Sequence, residues 1–193
     1  MSFDLRPALR RMAADVAADS GVVASALYVS DPPEPPPPGS LADLATSVAG
    51  TPPLDRVQLL WATTDNPAIE EDDLAVPFEV SDPSFGTWYY DGCINLFLRP
   101  DEHRAYLFEE FDGPVEVDGT SVRLEHLEPF DLFSQEVFAA AILDGGPLHG
   151  SVVLVDLYET APCSEPVSLE RYLRHVTDHR GSIEARIDAF CPE

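Results

Sequence analysis

Lysine is missing from this chain altogether. All 11 basic residues are arginine, against 35 acidic residues, and the 193-residue chain carries a net charge of −24. Lysine is ordinarily among the commonest residues. Between residues 12 and 170 there are four arginines (Arg56, Arg99, Arg104, Arg123) and 30 acids, so the acidity belongs to the body of the chain. A nucleic-acid binder needs clustered Lys and Arg to meet phosphates, and this composition argues against one. Anionic membranes are repelled in the same way, and cationic partners are attracted. Three explanations fit: a surface that binds a basic protein, solubility in a high-salt interior, or a GC-rich genome that prefers Arg to Lys. The last accounts for the missing lysine but not for a charge of −24.

Cysteine is scarce, at Cys93, Cys163 and Cys191, and no two have CxxC spacing. That excludes a disulfide framework and a structural zinc cluster, though not one disulfide, and it fits a reducing compartment. No apolar run approaches the ~18 residues of a membrane span. The first 21 residues have Asp4 early and no apolar stretch of signal-peptide length, which predicts a cytoplasmic protein. There is no G-x-S-x-G, no S-x-x-K and no glycine-rich phosphate loop, so the sequence predicts no cofactor. Cys93 lies in a predicted strand of an acidic chain. That setting raises a thiol pKa, so Cys93 is a poor nucleophile. Asp101-Glu102-His103 reads as a solvated turn.

What is present is strand-rich. Leu5, Leu9, Met12 and Val16 lie on one helical face and predict a helix over residues 3–18. Val22 to Ser30 predicts a strand. Residues 31–40 hold six prolines and predict a stiff surface loop or linker. A short helix over 41–48 and a strand over 56–62 follow. Asp91-Gly92 and Asp118-Gly119 each separate apolar or alternating runs, the strongest hairpin cue. They predict an antiparallel meander of about four strands across residues 87–125. Asp131 reads as the N-cap of a helix with Leu132, Phe133, Val137, Ala140 and Ala141 on its buried face, ended by Gly145-Gly146. Ser151 to Tyr158 predicts a strand, and Ser168 caps a C-terminal helix. The class is α+β: one domain over residues 1–193, with a central antiparallel sheet carrying N-terminal, mid-chain and C-terminal helices.

His175 and His179 stand four apart, with Asp178 beside the second. On a helix this spacing can present two imidazoles to a metal, and H-x-x-D-H is near the H-x-x-E-H of inverted zinc peptidases. The acid differs, and no third ligand is identifiable. Tyr172, Val176, Ile183, Ile187 and Phe190 form an apolar stripe that His179 completes at ~100° per residue. The stripe predicts a packed core His179, with His175 on its flank. Gly181-Ser182 marks a break, after which Ser182 caps a second short helix. Arg171, Arg174 and Arg180 around the polar side predict pairing with the acidic body.

The strand-rich centre with aromatic and acidic residues, followed by a helix, resembles the SMI1/KNR4-type immunity proteins of bacteria. The resemblance implies binding and neutralisation of a basic toxin. The leading expectation is a non-enzymatic protein that binds, neutralises or chaperones a basic protein partner. Its contacts would come from Glu70, Glu71, Asp72, Asp73, Glu109, Glu110 and Asp112, with Trp88 and Tyr90 as aromatic anchors. The alternatives are an ordinary domain or enzyme of a salt-adapted organism, and a metal-dependent hydrolase using His175 and His179. The sequence does not determine the oligomeric state.

Overall fold

The computed structural model describes residues 3–49, 54–63, 79–80, 92–99, 113–133, 137–159, 163–179 and 183–191. The elements are α1 (Leu5–Ala17), β1 (Val22–Ser30), α2 (Leu41–Ala49), β2 (Arg56–Thr63), β3 (Glu79–Val80), β4 (Gly92–Phe97), β5 (Val115–Val117), β6 (Thr120–Val122), β7 (Leu127–Leu132), β8 (Val137–Ile142), β9 (Ser151–Asp156), β10 (Val167–Ser168), α3 (Leu169–Asp178) and α4 (Ile183–Asp188). Eight strands form one sheet in the order β10-β9-β8-β7-β4-β2-β1-β3, and β5 and β6 form a separate ribbon. Every pairing in the large sheet is antiparallel except β1 with β3. The class is therefore α+β.

Strand alternation divides the core between the two faces of the sheet. On one face Leu27, Val57, Leu59, Ile94, Leu96, Ala139, Ala141 and Val152 pack against buried residues of α1, α2 and α3. On the other, Leu127, Phe138, Ala140, Ile142, Val153 and Val155 pack under Val115, Val117 and Val122 of the ribbon. The α1 face buries Leu5, Leu9, Met12 and Val16, as the spacing predicts, with Ala8 and Ala13 beside them.

The predicted mid-chain helix over residues 131–144 is two strands instead, β7 and β8. Phe138 to Ile142 are each 0% exposed, alternating between the two core faces. A strand covered on both faces is apolar without a period of two, so alanine-rich FAAAI mimics a helix segment. Tertiary burial here overrides alanine's helix propensity. The short mid-chain helix is α2. Gly145 and Gly146 lie in the β8–β9 connection, where the Gly145 N–H donates to His149 Nδ1 at 3.1 Å.

Asp118-Gly119 makes the predicted hairpin. Val117 pairs with Thr120, and Asp118 and Gly119 take φ of 47° and 70°. Positive φ at both central residues is what a tight hairpin turn requires. The meander itself is corrected in part. β4 lies within the large sheet, while β5 and β6 form their own ribbon across its face. The strand expected before Asp91 lies outside the described residues.

The proline-rich segment joins β1 to α2, and both elements contribute to the same core. Its end is fixed. The Ser40 N–H donates to the Pro37 carbonyl at 3.1 Å, the Gly39 N–H to Asp43 Oδ2 at 2.8 Å, and Ser40 Oγ accepts from the Asp43 N–H at 3.4 Å. Gly39 takes φ +76°, which closes a Pro38-Gly39 turn.

Candidate functional site

Two clusters of polar side chains are built by α3 and α4. Ser168 caps α3, its Oγ accepting from the Arg171 N–H at 3.2 Å. The helix buries Leu169, Tyr172, Leu173, Val176 and Thr177 and ends at His179, whose φ of −110° and ψ of 26° leave the helical region. The chain resumes as α4 at Ile183.

That break overturns the prediction that His179 packs in the core. A single helical wheel across residues 172–190 assumes one axis, and there are two. His179 is exposed, Ile183 is 49% exposed, and His175 is partly buried. The two imidazoles stack with centroids 4.1 Å apart and planes at 24°. His179 Nδ1 donates to the His175 carbonyl at 3.0 Å. The His175 ring bonds the backbone of Ala185, linking α3 to α4. Its pKa is held below the ordinary value, first by burial, then by His179 and Arg171. The Ala185 carbonyl and Asp188 oppose that shift.

The rings line a groove of about 400 Å³ with Ser168, Glu170, Arg171, Arg174, Asp178, Asp188 and Cys191. Among the described residues no group of three His, Cys, Asp or Glu side chains is placed to hold a metal ion. A catalytic zinc has three protein ligands, and the stacked pair supplies two.

The second cluster is fully buried, and sequence reasoning missed it. Asp131, expected to be a helix cap, is 0% exposed. It accepts a 2.6 Å hydrogen bond from the Tyr172 hydroxyl and forms an ion pair with Arg186. A β-bulge places it there. Between Pro129 and Asp131 the β7–β8 register slips by one residue. Leu127 and Leu132, five apart, consequently both pack on the ribbon side, while Phe130 and Asp131 meet the helices. Without the bulge Asp131 would enter the apolar ribbon core.

Phe130 meets Tyr172 edge-on at 5.6 Å, Phe190 lies 5.3 Å from Tyr172, and the Arg186 guanidinium sits 5.0 Å from the Phe133 ring centroid. Burial pushes the Asp131 carboxyl above its ordinary range, opposed by Arg186 and Tyr172. Burial and then Asp131 push the Tyr172 hydroxyl well above its ordinary range, so it remains a donor. With solvent excluded, this cluster tethers α3 and α4 to the sheet.

The arginines therefore act differently from the prediction. Arg174 pairs with Glu170 of its own helix at 2.7 Å and lies 4.7 Å from the Phe3 ring centroid. Arg171 is exposed, Arg180 lies outside the described residues, and Arg186 is the one that holds the C-terminal helices. Glu70, Glu71, Asp72, Asp73, Trp88, Tyr90, Glu109, Glu110 and Asp112 also lie outside the described residues, as does Asp101-Glu102-His103. Cys163 and Cys191 are free thiols. Among the described residues no helix is long and apolar enough to cross a membrane.

The chain matches no known protein-family model, no curated protein and no solved structure.

Proposed function

We propose that this chain is a non-enzymatic interaction protein whose acidic body captures a basic protein partner and neutralises or chaperones it, in the manner of a toxin-immunity protein. One observation carries the reading: the chain bears a net charge of −24. Arg6 pairs with Asp31, Arg123 with Glu125, Arg174 with Glu170 and Arg186 with Asp131, so scarce cations are held by the chain's own carboxylates. Asp15, Asp19, Glu34, Glu116, Asp118, Glu159 and Glu165 are exposed. Such a field steers a cationic partner to the surface and accelerates association. The acidic and aromatic residues named from the sequence, Glu70 to Asp73, Trp88, Tyr90, Glu109, Glu110 and Asp112, are the proposed contacts.

The test is affinity capture from the native host, followed by kinetics with the purified partner. A basic polypeptide should be retained at low salt, and its association rate should fall at least tenfold between about 0.05 and 0.5 M NaCl. Retention of no cationic protein overturns the reading.

The complete absence of lysine favours a second reading, adaptation to a salt-rich interior. It expects unfolding below roughly 0.1 M salt and refolding in molar salt, because screening relieves the self-repulsion of the carboxylates. A melting temperature independent of salt removes it.

A further inference from the structure

The groove beside α3 and α4 contains two imidazoles that are oriented by backbone carbonyls. His175 stands in the last turn of α3 and His179 at its C-cap, so the two are neighbours on one side of the helix. A neutral imidazole has one donor nitrogen and one acceptor nitrogen. His179 donates from Nδ1 to the His175 carbonyl at 3.0 Å, which leaves Nε2 as the acceptor. His175 donates to the Ala185 carbonyl of α4 and keeps its other ring nitrogen as an acceptor. A carbonyl that takes one N–H and so fixes the tautomer is the contact that usually orients metal-ligating histidines.

Spacing and charge point the same way. A metal ion bonds imidazole nitrogen at about 2.0–2.1 Å, so one ion spans two nitrogens roughly 3–4 Å apart. The rings lie at that spacing, with centroids 4.1 Å apart and planes at 24°. His179 is exposed, and the χ2 torsion of histidine is broad, so the tilt that brings both lone pairs onto one ion costs little. Five charged residues line the groove. Arg174 and Glu170 neutralise each other at 2.7 Å. Asp178 and Asp188 then outweigh Arg171, and Asp188 is near enough to oppose the depressed pKa of His175. The field in the groove is negative, in a chain that is itself strongly acidic, and favours a cation.

We propose that His175 and His179 form a two-ligand site for a divalent transition-metal ion of the zinc and copper class, with water in its remaining positions. Imidazole nitrogen suits Zn²⁺, Cu²⁺ and Ni²⁺, whereas Mg²⁺ and Ca²⁺ seek oxygen. Among the described residues no third side chain is placed as a ligand, so Asp178 and Asp188 act through their field. The ion retains open positions and is held more loosely than a structural zinc with four protein ligands. Because His175 also bonds Ala185, a bound ion stiffens the join between α3 and α4. The site does not depend on the capture of a basic partner, so each reading stands or falls alone.

The experiment is calorimetric titration of the tag-free full chain with Zn²⁺ and with Ni²⁺. Excess Mg²⁺ is kept present to occupy loose carboxylate sites on the acidic surface. One ion should bind saturably with a Kd of about 100 μM or below. His179→Gln, at an exposed position, and His175→Gln should each weaken binding at least tenfold, with circular dichroism confirming that both fold. Cys191→Ser should leave the affinity within about threefold, because the thiol is not a ligand. Electron paramagnetic resonance of Cu²⁺ bound to Cys191→Ser should show coupling to two nitrogens, and His179→Gln on that background should reduce it to one. The proposal is overturned if neither Zn²⁺ nor Ni²⁺ binds up to about 1 mM, if His179→Gln leaves binding unchanged, or if Cys191→Ser abolishes it.

Discussion

Tyr172 donates its hydroxyl hydrogen to Asp131 across 2.6 Å, at a point where both residues are 0% exposed. The same carboxylate is paired with Arg186. One acid from a bulged strand thereby receives one group from α3 and one from α4. The two helices are fixed to the sheet by polar contacts as well as by apolar packing.

Replacing Arg186 with Met should destabilise the fold by about 3–5 kcal/mol, because it strands a buried carboxylate. The double variant Asp131→Leu/Arg186→Met should recover much of that loss, since removing both charges leaves neither without a partner. Urea denaturation of the four-member cycle measures the coupling. In Arg186→Met the strongest force opposing the raised pKa of Asp131 is gone. A carboxyl whose folded pKa lies above its unfolded value binds more protons when folded, so stability falls as pH rises through the folded pKa. The variant should therefore be relatively more stable in mild acid than at neutral pH. Equal stability at both would show that Asp131 of the variant is ionised across this range, its pKa not raised.

Tyr172→Phe keeps the ring contacts with Phe130 and Phe190 and deletes only the hydroxyl. Loss of a hydrogen bond to a charged acceptor should cost about 1.5–3 kcal/mol. A change below ~0.5 kcal/mol in the denaturation midpoint would mean that the carboxylate is satisfied by Arg186 alone.

The stacked histidines predict a pH dependence of their own. His175 has a folded pKa below its ordinary value, chiefly through burial and then through His179. Below about pH 6.5 the unfolded chain takes up this proton more readily than the folded one, so stability declines as pH falls. His175→Gln should flatten the stability profile between about pH 5 and 7. NMR titration of the His175 ring, showing a midpoint at or above the ordinary histidine value, would contradict the assignment.

The thiols should separate by reactivity. Burial pushes the Cys163 pKa up to about 11, whereas Cys191 is exposed. Thiolate is the reactive form. Iodoacetamide at neutral pH should label Cys191 in the native protein and Cys163 only after denaturation, as read by peptide mass mapping. Native labelling of Cys163 at a comparable rate would show that the segment after β9 opens.

The sequence by itself determined the α+β class, the N-terminal helix, strands β1, β2 and β9, the Asp118-Gly119 hairpin and the Ser168 cap. Each rests on a local signal: a period of 3.6 or 2, a residue tolerant of positive φ, or a side chain that caps its own helix. It also determined the acidity that carries the proposed function. Local pattern failed where burial came from both sides, since β8 has no polar face to mark its period. It failed again where the chain changed axis, since the stripe through His179 assumed one helix. The tertiary structure alone decided that Asp131, Tyr172 and Arg186 meet, 41 and 55 residues apart in the chain. A single extra residue in β7 turned the acid toward the helices. Pairings of that range leave no periodic trace in sequence, because their energy arises from exclusion of water after the layers have closed.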